Sequence, residues 1–455
     1  MFGAKVALSR AVGAASRATG KGGGTTLPGR VLLRLEPDAI ARLGAGLPGG
    51  TTIVSATNGK TTTAGMIAAV LAADGRTPVH NRAGSNMTWG VATALLEQRG
   101  EEGLFEVDEA WLPRVSRDLD PALIVLGNLF RDQLDRYGEI EKLADEWAKT
   151  VAAREGRTAF ALNADDPLIA DLGRDAGERP REGVLYFGID DHSQALPELQ
   201  HAFDAKHCRR CGHPYAYEVA FVGHLGHYSC PNCGAERPRP DVAATAIELH
   251  GMEGSTATVR LPGDTEIRLE LPLPGLYNVY NALAAIAAGL KLGVEPQRIA
   301  AALAGAQAAF GRVETIAVGG VPVSILLIKN PAGANEVLRT LRLEAAKGPI
   351  DLWIALNDRI ADGRDVSWIW DADFELLAGD VRRVVCSGTR APEMALRLKY
   401  AGWPADRIEV VDGIEPSLDR AVAAGDRLFA LPTYTALLEL RKLLADRGLA
   451  KEFWQ

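Results

Sequence analysis

Four of the five cysteines in this 455-residue chain fall between positions 208 and 233. Cys208-Arg-Arg-Cys211 and Cys230-Pro-Asn-Cys233 are two knuckles eighteen residues apart, the spacing at which four thiolates close on one tetrahedral ion. Gly212 and Gly234, directly after each pair, permit the tight backbone that turns both sulfurs to one side. Four sulfurs fill the coordination shell of Zn2+ and leave no position for a reactive water, so the expected site is structural. Five of the eight histidines lie between His201 and His227, which offers a mixed ligand set, but four cysteines suffice. The remaining thiol, Cys386, ends an apolar run with no histidine after His250 to activate it, and is expected to be a plain packed thiol.

A second constellation lies near the start of the chain. In the run from Thr51 to Thr63, Gly59, Lys60 and Thr61 fall at the turn from an apolar strand into a helix, where exposed N–H groups and the helix dipole attract phosphate. Lys60 would meet β- and γ-phosphates, and Thr61 would hold Mg2+. The general phosphate-loop pattern wants glycine at position 54, where this chain has Val54, so only the second half of that motif matches. A third unusual stretch, from Asn357 to Glu375, is dense in Asp and Trp and follows the expected strand Leu352–Leu356, on the edge where α/β sheets carry their sites.

The elements that must position these groups are those of an α/β protein. Apolar β-branched runs at 51–55, 104–107, 122–126 and 158–162 alternate with helical stretches such as 140–153, and one mostly parallel sheet should collect them. Between about 190 and 240 the pattern gives way to His, Cys, Pro and Gly, as an insert would, and short alternating strands resume near 244–271. A helix pair near 278–307 ends at Phe310-Gly311-Arg312, and a second α/β series follows with strands near 323–328, 350–356, 382–386 and 427–431. The expected domains are a basic segment over 1–45, an ATP-binding domain over 46–313 with the ribbon at about 200–240, and a C-terminal Rossmann-like domain over 314–455. Residues 1–35 carry six Lys or Arg and no Asp or Glu, a surface helix that could rest on an anionic membrane, with Gly22-Gly23-Gly24 as a flexible joint. The formal charge of −8 argues against nucleic acid as a partner, 47% apolar residues exclude global disorder, and no apolar run is long enough to span a bilayer. So few cysteines outside the ribbon point to a reducing cytoplasm.

The loop Ala56-Thr-Asn-Gly-Lys-Thr61 resembles that of the Mur ligase family, with Ala56 for the family's first glycine. Five further segments resemble the family's motifs in the family's order. In Phe105-Glu-Val-Asp-Glu109 the resemblance assigns Mg2+ binding to Glu106. Asn128-Leu-Phe-Arg-Asp-Gln-Leu-Asp135 has Gln133 where a metal-binding histidine is usual, which puts a second metal site in doubt. Asn163-Ala-Asp-Asp-Pro167 follows, then Gly275-Leu-Tyr-Asn-Val-Tyr-Asn281, whose Asn278 and Asn281 are expected at the adenine, and Gly311-Arg312, whose arginine is expected at the nucleotide. Asn58, Gly59, Lys60, Thr61 and Thr62 complete the expected ATP site. Lys329-Asn-Pro-Ala-Gly333 occupies the place of a further family motif. There Leu326 replaces a ribose-binding Asp, and Lys329 is expected to face the phosphates instead.

The Asp- and Trp-rich stretch is similar to the C-terminal signature of the Mur ligase-like subunits of lipid II isoglutaminyl synthases, a branch that also carries a four-cysteine ribbon. That resemblance implies ATP-dependent amidation of the D-glutamate α-carboxylate of the lipid II stem peptide to D-isoglutamine through an acyl phosphate. Lys60 and Glu106 would act in that chemistry. It also implies a heterodimer with a GatD-like class I glutaminase that supplies ammonia. Asp365, with Asp362 as the alternative, would complete that partner's Cys and His pair. Only about 50 residues precede Thr51, too few for the nucleotide-sugar domain of Mur ligases that use soluble precursors. Such an enzyme would work in the cytoplasm at the inner face of the membrane. Two other readings are an autonomous Mur-like amino-acid ligase and a non-catalytic ATP-binding zinc-ribbon adaptor.

Overall fold

Thr51–Ser55 (β1) is buried along its whole length, which a strand achieves only when both faces of its sheet are covered. Successive side chains alternate: Ile53 joins one apolar cluster, with Phe105, Leu112 and Trp147, and Val54 joins the other, with Ile67, Leu283 and Ile286. A computed structural model describes residues 2–18, 26–81, 85–132, 140–175, 179–201, 203–306, 313–423 and 425–450. Three helices open the chain, α1 (Phe2–Ala18), α2 (Leu27–Leu35) and α3 (Ala39–Gly44). After β1 come α4 (Lys60–Ala73), β2 (Val79–His80), α5 (Thr88–Glu97), β3 (Gly103–Glu106), α6 (Leu112–Leu119), β4 (Leu123–Leu126), α7 (Ile140–Ala152), β5 (Ala159–Asn163) and β6 (Val184–Ile189). A separate hairpin, β7 (Ala216–Val222) and β8 (Leu225–Ser229), precedes β9 (Val242–Leu249), β10 (Ser255–Arg260) and β11 (Glu266–Leu271). The nine-stranded sheet runs β11-β10-β9-β6-β5-β4-β1-β3-β2 and is parallel from β9 to β2, with β10 and β11 added antiparallel.

Two Ala-rich helices close one face of this sheet. α4 packs against α8 (Leu276–Lys291), whose small side chains let the axes approach, and α9 (Pro296–Ala304) packs on both. On the amino-terminal side α2 lies so close to α5 that a Cβ at Gly29 would sit 1.9 Å from the Trp89 carbonyl, and only glycine fits there. Gly22–Gly24, read as a joint, lie outside the described residues.

Beyond residue 313 a six-stranded sheet forms from β12 (Val313–Val318), β13 (Val321–Leu326), β14 (Ile350–Ala355), β15 (Val381–Ser387), β16 (Ile408–Val410) and β17 (Leu428–Pro432), in the order β12-β13-β17-β14-β15-β16. Only β12 is antiparallel. Its helices are α10 (Pro331–Ala345), α11 (Ala391–Tyr400), α12 (Ile414–Val422) and α13 (Tyr434–Asp446). Among the described residues no helix is long and apolar enough to cross a membrane.

Candidate active site and metal centre

The register of the central sheet assembles the phosphate loop. Val54 pairs with Glu106 and Ser55 with Leu126, so β1, β3 and β4 all end at one edge and their loops converge there. Gly59 caps α4 with φ of 88°, and a Cβ on it would meet the Asn281 carboxamide oxygen at 2.0 Å, so the left-handed turn and the close approach both demand glycine. The loop is pinned from the β4 side: Asn58 N–H donates to Asn128 Oδ1 at 2.9 Å, Asn128 Nδ2 returns a bond to the Asn58 carbonyl at 3.1 Å, and Phe130 N–H donates to Thr57 Oγ1 at 3.0 Å.

Lys60 is buried and folds back over this loop. Its Nζ donates to the Ala56 carbonyl at 2.5 Å and to Glu109 Oε2 at 2.7 Å. Burial alone would drive the ammonium toward neutrality, but the carboxylates of Glu109, Asp108 and Glu106 outweigh it and raise the Lys60 pKa. Burial likewise pushes Glu109 up, and Lys60 with Lys329 more than offsets it, so the Glu109 carboxyl sits below its ordinary range. Both members of the pair are therefore charged at neutral pH. Glu106 is also buried, 2% exposed, and the Asn81 side chain holds its backbone on both sides. Glu109 escaped the sequence reading, which stopped at Glu106. The short turn Glu109–Trp111 after β3 carries the carboxylate back to the lysine.

Beside the loop lies a cleft that opens to solvent, the space in and at its opening together about 940 Å³. One wall carries Asn58, Gly59, Thr62 and Asn128 with Asn278 and Asn281 of α8, and the facing wall carries Lys329, after β13, with Gly333 and Glu336 of α10. Asn278 donates to the Pro274 carbonyl and receives Asn281 Nδ2 at 3.0 Å, while Asn281 Oδ1 accepts from Thr63, so both carboxamides are oriented. Lys329 reaches Asp132 at 2.5 Å. Asn330 and Asn58 exchange amide bonds of 3.0 and 3.3 Å, tying the start of α10 to the phosphate loop. Leu326 is buried in β13 and does not reach the cleft surface. Among the described residues Glu336 is the only carboxylate on the lining; the sequence reading missed it because nothing marks a glutamate within a helix as facing a cleft. Thr61 is half-buried at the start of α4. Arg312 and Gln133 lie outside the described residues.

The four ribbon cysteines converge. Their sulfurs all lie within 4.8 Å of one another, with Cys208 3.6 Å from Cys233 and Cys211 3.4 Å from Cys230. Four sulfurs from two turns at this separation fit a tetrahedral thiophilic ion. The Asn232 side chain and the His213 backbone lower the Cys211 thiol to about 6, while, against the Ala235 N–H, burial and the neighbouring sulfurs raise Cys233 to about 12. The hairpin β7–β8 between the knuckles delivers Val222 and Leu225 to the cleft lining. Behind it, the fully buried Asp165 accepts from Arg237 Nε at 2.6 Å and from Tyr280 OH at 2.6 Å, linking the ribbon to α8.

In the Asp- and Trp-rich loop the two candidate aspartates differ in kind. Asp362 is buried and accepts from the Thr435 N–H at 2.7 Å and hydroxyl at 2.5 Å, and burial raises its pKa. Asp365 is exposed, and the Ser367 N–H at 2.8 Å holds its carboxyl below the ordinary range. Asp371 and Asp373, on the same loop, reach Arg131 at 3.4 Å and His201 at 2.9 Å. Cys386 is buried in β15 and burial pushes it up to about 12, as suits an inert packed thiol.

A phosphate loop on a parallel sheet, a cleft shared with a second α/β sheet and an inserted four-cysteine ribbon define a Mur-type ligase. Residues 54–235 match the Mur ligase middle domain and residues 327–437 the MurT ligase C-terminal domain. Over 439 residues the chain is 34% identical to the lipid II isoglutaminyl synthase (glutamine-hydrolyzing) subunit MurT of Streptococcus pneumoniae, covering 95% of this chain and 94% of that protein. The Staphylococcus aureus (strain N315) protein of the same description is 32% identical over 446 residues, 96% of each chain. The chain belongs to the MurT family. Among solved structures, a pseudomurein peptide ligase type C from Methanothermus fervidus superposes with a TM-score of 0.67 at 21% identity, over 90% of this chain and 80% of that one, a likeness of fold.

Proposed function

We propose that this chain is the ATP-consuming subunit of a lipid II isoglutaminyl synthase, amidating the D-glutamate α-carboxylate of the lipid II stem peptide to D-isoglutamine. The observation that carries the reading is the Lys60–Glu109 pair buried behind the Gly59 loop, itself on the lining of a cleft between two domains, in a chain that aligns over 95% of its length with a relative bearing that description. The domains are taken as 46–313 for ATP and 314–455 for the second wall and the partner.

A carboxylate does not condense with ammonia in water until one of its oxygens is made a good leaving group. An acceptor carboxylate oxygen attacks the γ-phosphorus, ADP departs, ammonia then attacks the acyl carbon, and inorganic phosphate leaves with that oxygen. Asn58, Gly59, Lys60, Thr61 and Thr62 hold the phosphates, with Lys60 exchanging the Glu109 carboxylate for phosphate oxygens. Thr61 and Glu106 would hold Mg2+, which supplies neutralisation of the charge developing on the transferred phosphoryl group. Asn278, Asn281, Arg312 and Lys329 orient the nucleotide. Cys208, Cys211, Cys230 and Cys233 would hold Zn2+, which supplies a rigid joint between the two knuckles.

The relatives are described as one subunit of a glutamine-hydrolysing synthase, and the one thiol outside the ribbon is buried without a histidine. Ammonia therefore comes from a separate class I glutaminase of the GatD kind, in a heterodimer. Asp365, exposed and ionised, orients that partner's histidine, whereas Asp362 already serves Thr435. The enzyme works in the cytoplasm at the inner membrane face. The test is to mix the two chains with glutamine, ATP and lipid II: amidated product is expected from the mixture, none from either chain alone with glutamine, and product from this chain alone with free ammonia. Obligatory use of a whole amino acid would contradict the reading.

A further inference from the structure

The amino-terminal helices carry a face that the nucleotide chemistry leaves unused. Residues 1–35 hold all-positive charge in a chain of net −8, so the remainder is more acidic than the total. α1 and α2 pack on each other and on α5, with Lys5 reaching the Leu35 carbonyl and Gly13 abutting Pro28, so the two run antiparallel. Away from those contacts, α1 exposes Ala4, Ala7, Leu8 and Ala11, a stripe at helical spacing with no charge in it. α2 exposes Leu27, Arg30, Arg34 and Leu35 at the same spacing. Leu8 is 54% exposed, Leu27 44% and Leu35 38%, three of the twelve exposed large apolar side chains among the described residues. Glu36 is already held by Lys5 and Arg42 and does not cancel Arg34, and Glu97 lies on the inner side of α1, against Gly13.

This face connects through ring contacts to the turn whose Glu109 pairs with Lys60 of the phosphate loop. The Arg30 guanidinium lies 4.7 Å over the Trp89 ring, Trp89 meets Trp111 edge-on at 5.4 Å, and Trp111 ends the turn that carries Glu109. We propose that the outer face of α1 and α2 is a docking surface for an anionic bilayer, on which the helices lie in the interfacial plane with Leu8, Leu27 and Leu35 in the lipid and Arg30 and Arg34 among the headgroups. It deepens the proposed function, resting on the reading that the acceptor is lipid-linked. The dock sets the phosphate loop beside the headgroup layer, where a membrane-tethered carboxylate can reach it. A single such helix layer binds reversibly and depends on salt, because its charge attraction is screened within a Debye length.

The test is sedimentation of the full chain with vesicles of phosphatidylglycerol and phosphatidylethanolamine against vesicles of phosphatidylcholine, with no acceptor or nucleotide present. The expected result is binding to the anionic vesicles alone, weakening with salt, and reduced roughly fivefold by Arg34→Glu and by at least as much by Leu8→Glu. Both positions are exposed, so melting curves should match the unsubstituted chain; Arg268→Glu, exposed on β11, should bind as before. In the complete amidation assay the same two variants should slow turnover of lipid II in vesicles and leave turnover of a tail-less soluble acceptor unchanged. Equal binding to neutral vesicles, no binding, or variants that bind like the parent chain would overturn the proposal. A concentration-dependent dimer abolished by Leu8→Glu would overturn it too, by assigning the face to a second copy. Because the vesicles hold no acceptor, these outcomes are independent of whether the chain amidates anything.

Discussion

Lys60 and Glu109 neutralise each other in a buried place where phosphate would otherwise be needed, and that makes their pairing measurable. Removing one partner strands the other charge, so Glu109→Gln should cost about 3 kcal/mol at neutral pH. The Glu109 carboxyl has a folded pKa below its ordinary 4.5, so its contribution is fully present above that value and disappears as pH falls through the lower, folded one. Melting temperature followed against pH should therefore drop more steeply below 4.5 in the parent chain than in Glu109→Gln; parallel curves would refute the linkage. Asp365→Asn makes a different prediction. It should cut glutamine-dependent amidation by a factor on the order of 10⁴, the effect of losing the acid that orients a catalytic imidazole, while ammonia-dependent amidation stays unchanged. A matching loss with free ammonia would place Asp365 at this chain's own chemistry instead of the partner's.

At the scale of elements, the ribbon hairpin contributes Val222 and Leu225 to the cleft lining, and Arg237, just after the second knuckle, is held on Asp165, which also takes the Tyr280 hydroxyl of α8. Loosening the knuckles should therefore reach the nucleotide. Cys230→Ser, at a buried knuckle position, should lower the melting temperature by several degrees, about 2–4 °C for each kcal/mol lost in a domain of 150–250 residues, and raise the KM for ATP several-fold. An unchanged KM would detach the ribbon from the site. The central strands were legible in sequence because a parallel sheet buried on both faces needs continuous β-branched runs such as Thr51–Ser55. The hairpin β7–β8 was not, since its residues sit among the Cys, His and Gly of the insert and its register is set by the knuckles. The phosphate loop was legible from Gly59, Lys60 and Thr61. Glu109, Asn330 and Glu336 were not, because what places them is a turn after β3 and the docking of one domain on another, neither of which has a local pattern.

Across the whole molecule, the contacts between the two domains include exchangeable polar ones at the cleft, the Asn58–Asn330 amides, Lys329 with Asp132, and Arg131 with Asp371, beside others such as His201 with Asp373 and Arg339 with the Phe221 carbonyl. Polar contacts of this kind permit one wall to shift against the other, and a reaction that must exclude water from an acyl phosphate needs such closure. Asn330→Ala should leave each domain folded and raise the KM for ATP, which steady-state kinetics with a melting curve would check; a lowered kcat with unchanged KM would contradict that role. The central claim is that the acceptor carboxylate is activated by phosphorylation. Its most direct test uses lipid II with both oxygens of the D-glutamate α-carboxylate replaced by a heavy isotope, incubated with both subunits, ATP and glutamine. One labelled oxygen should appear in inorganic phosphate for each amide formed, and amide formed with unlabelled phosphate would contradict the account.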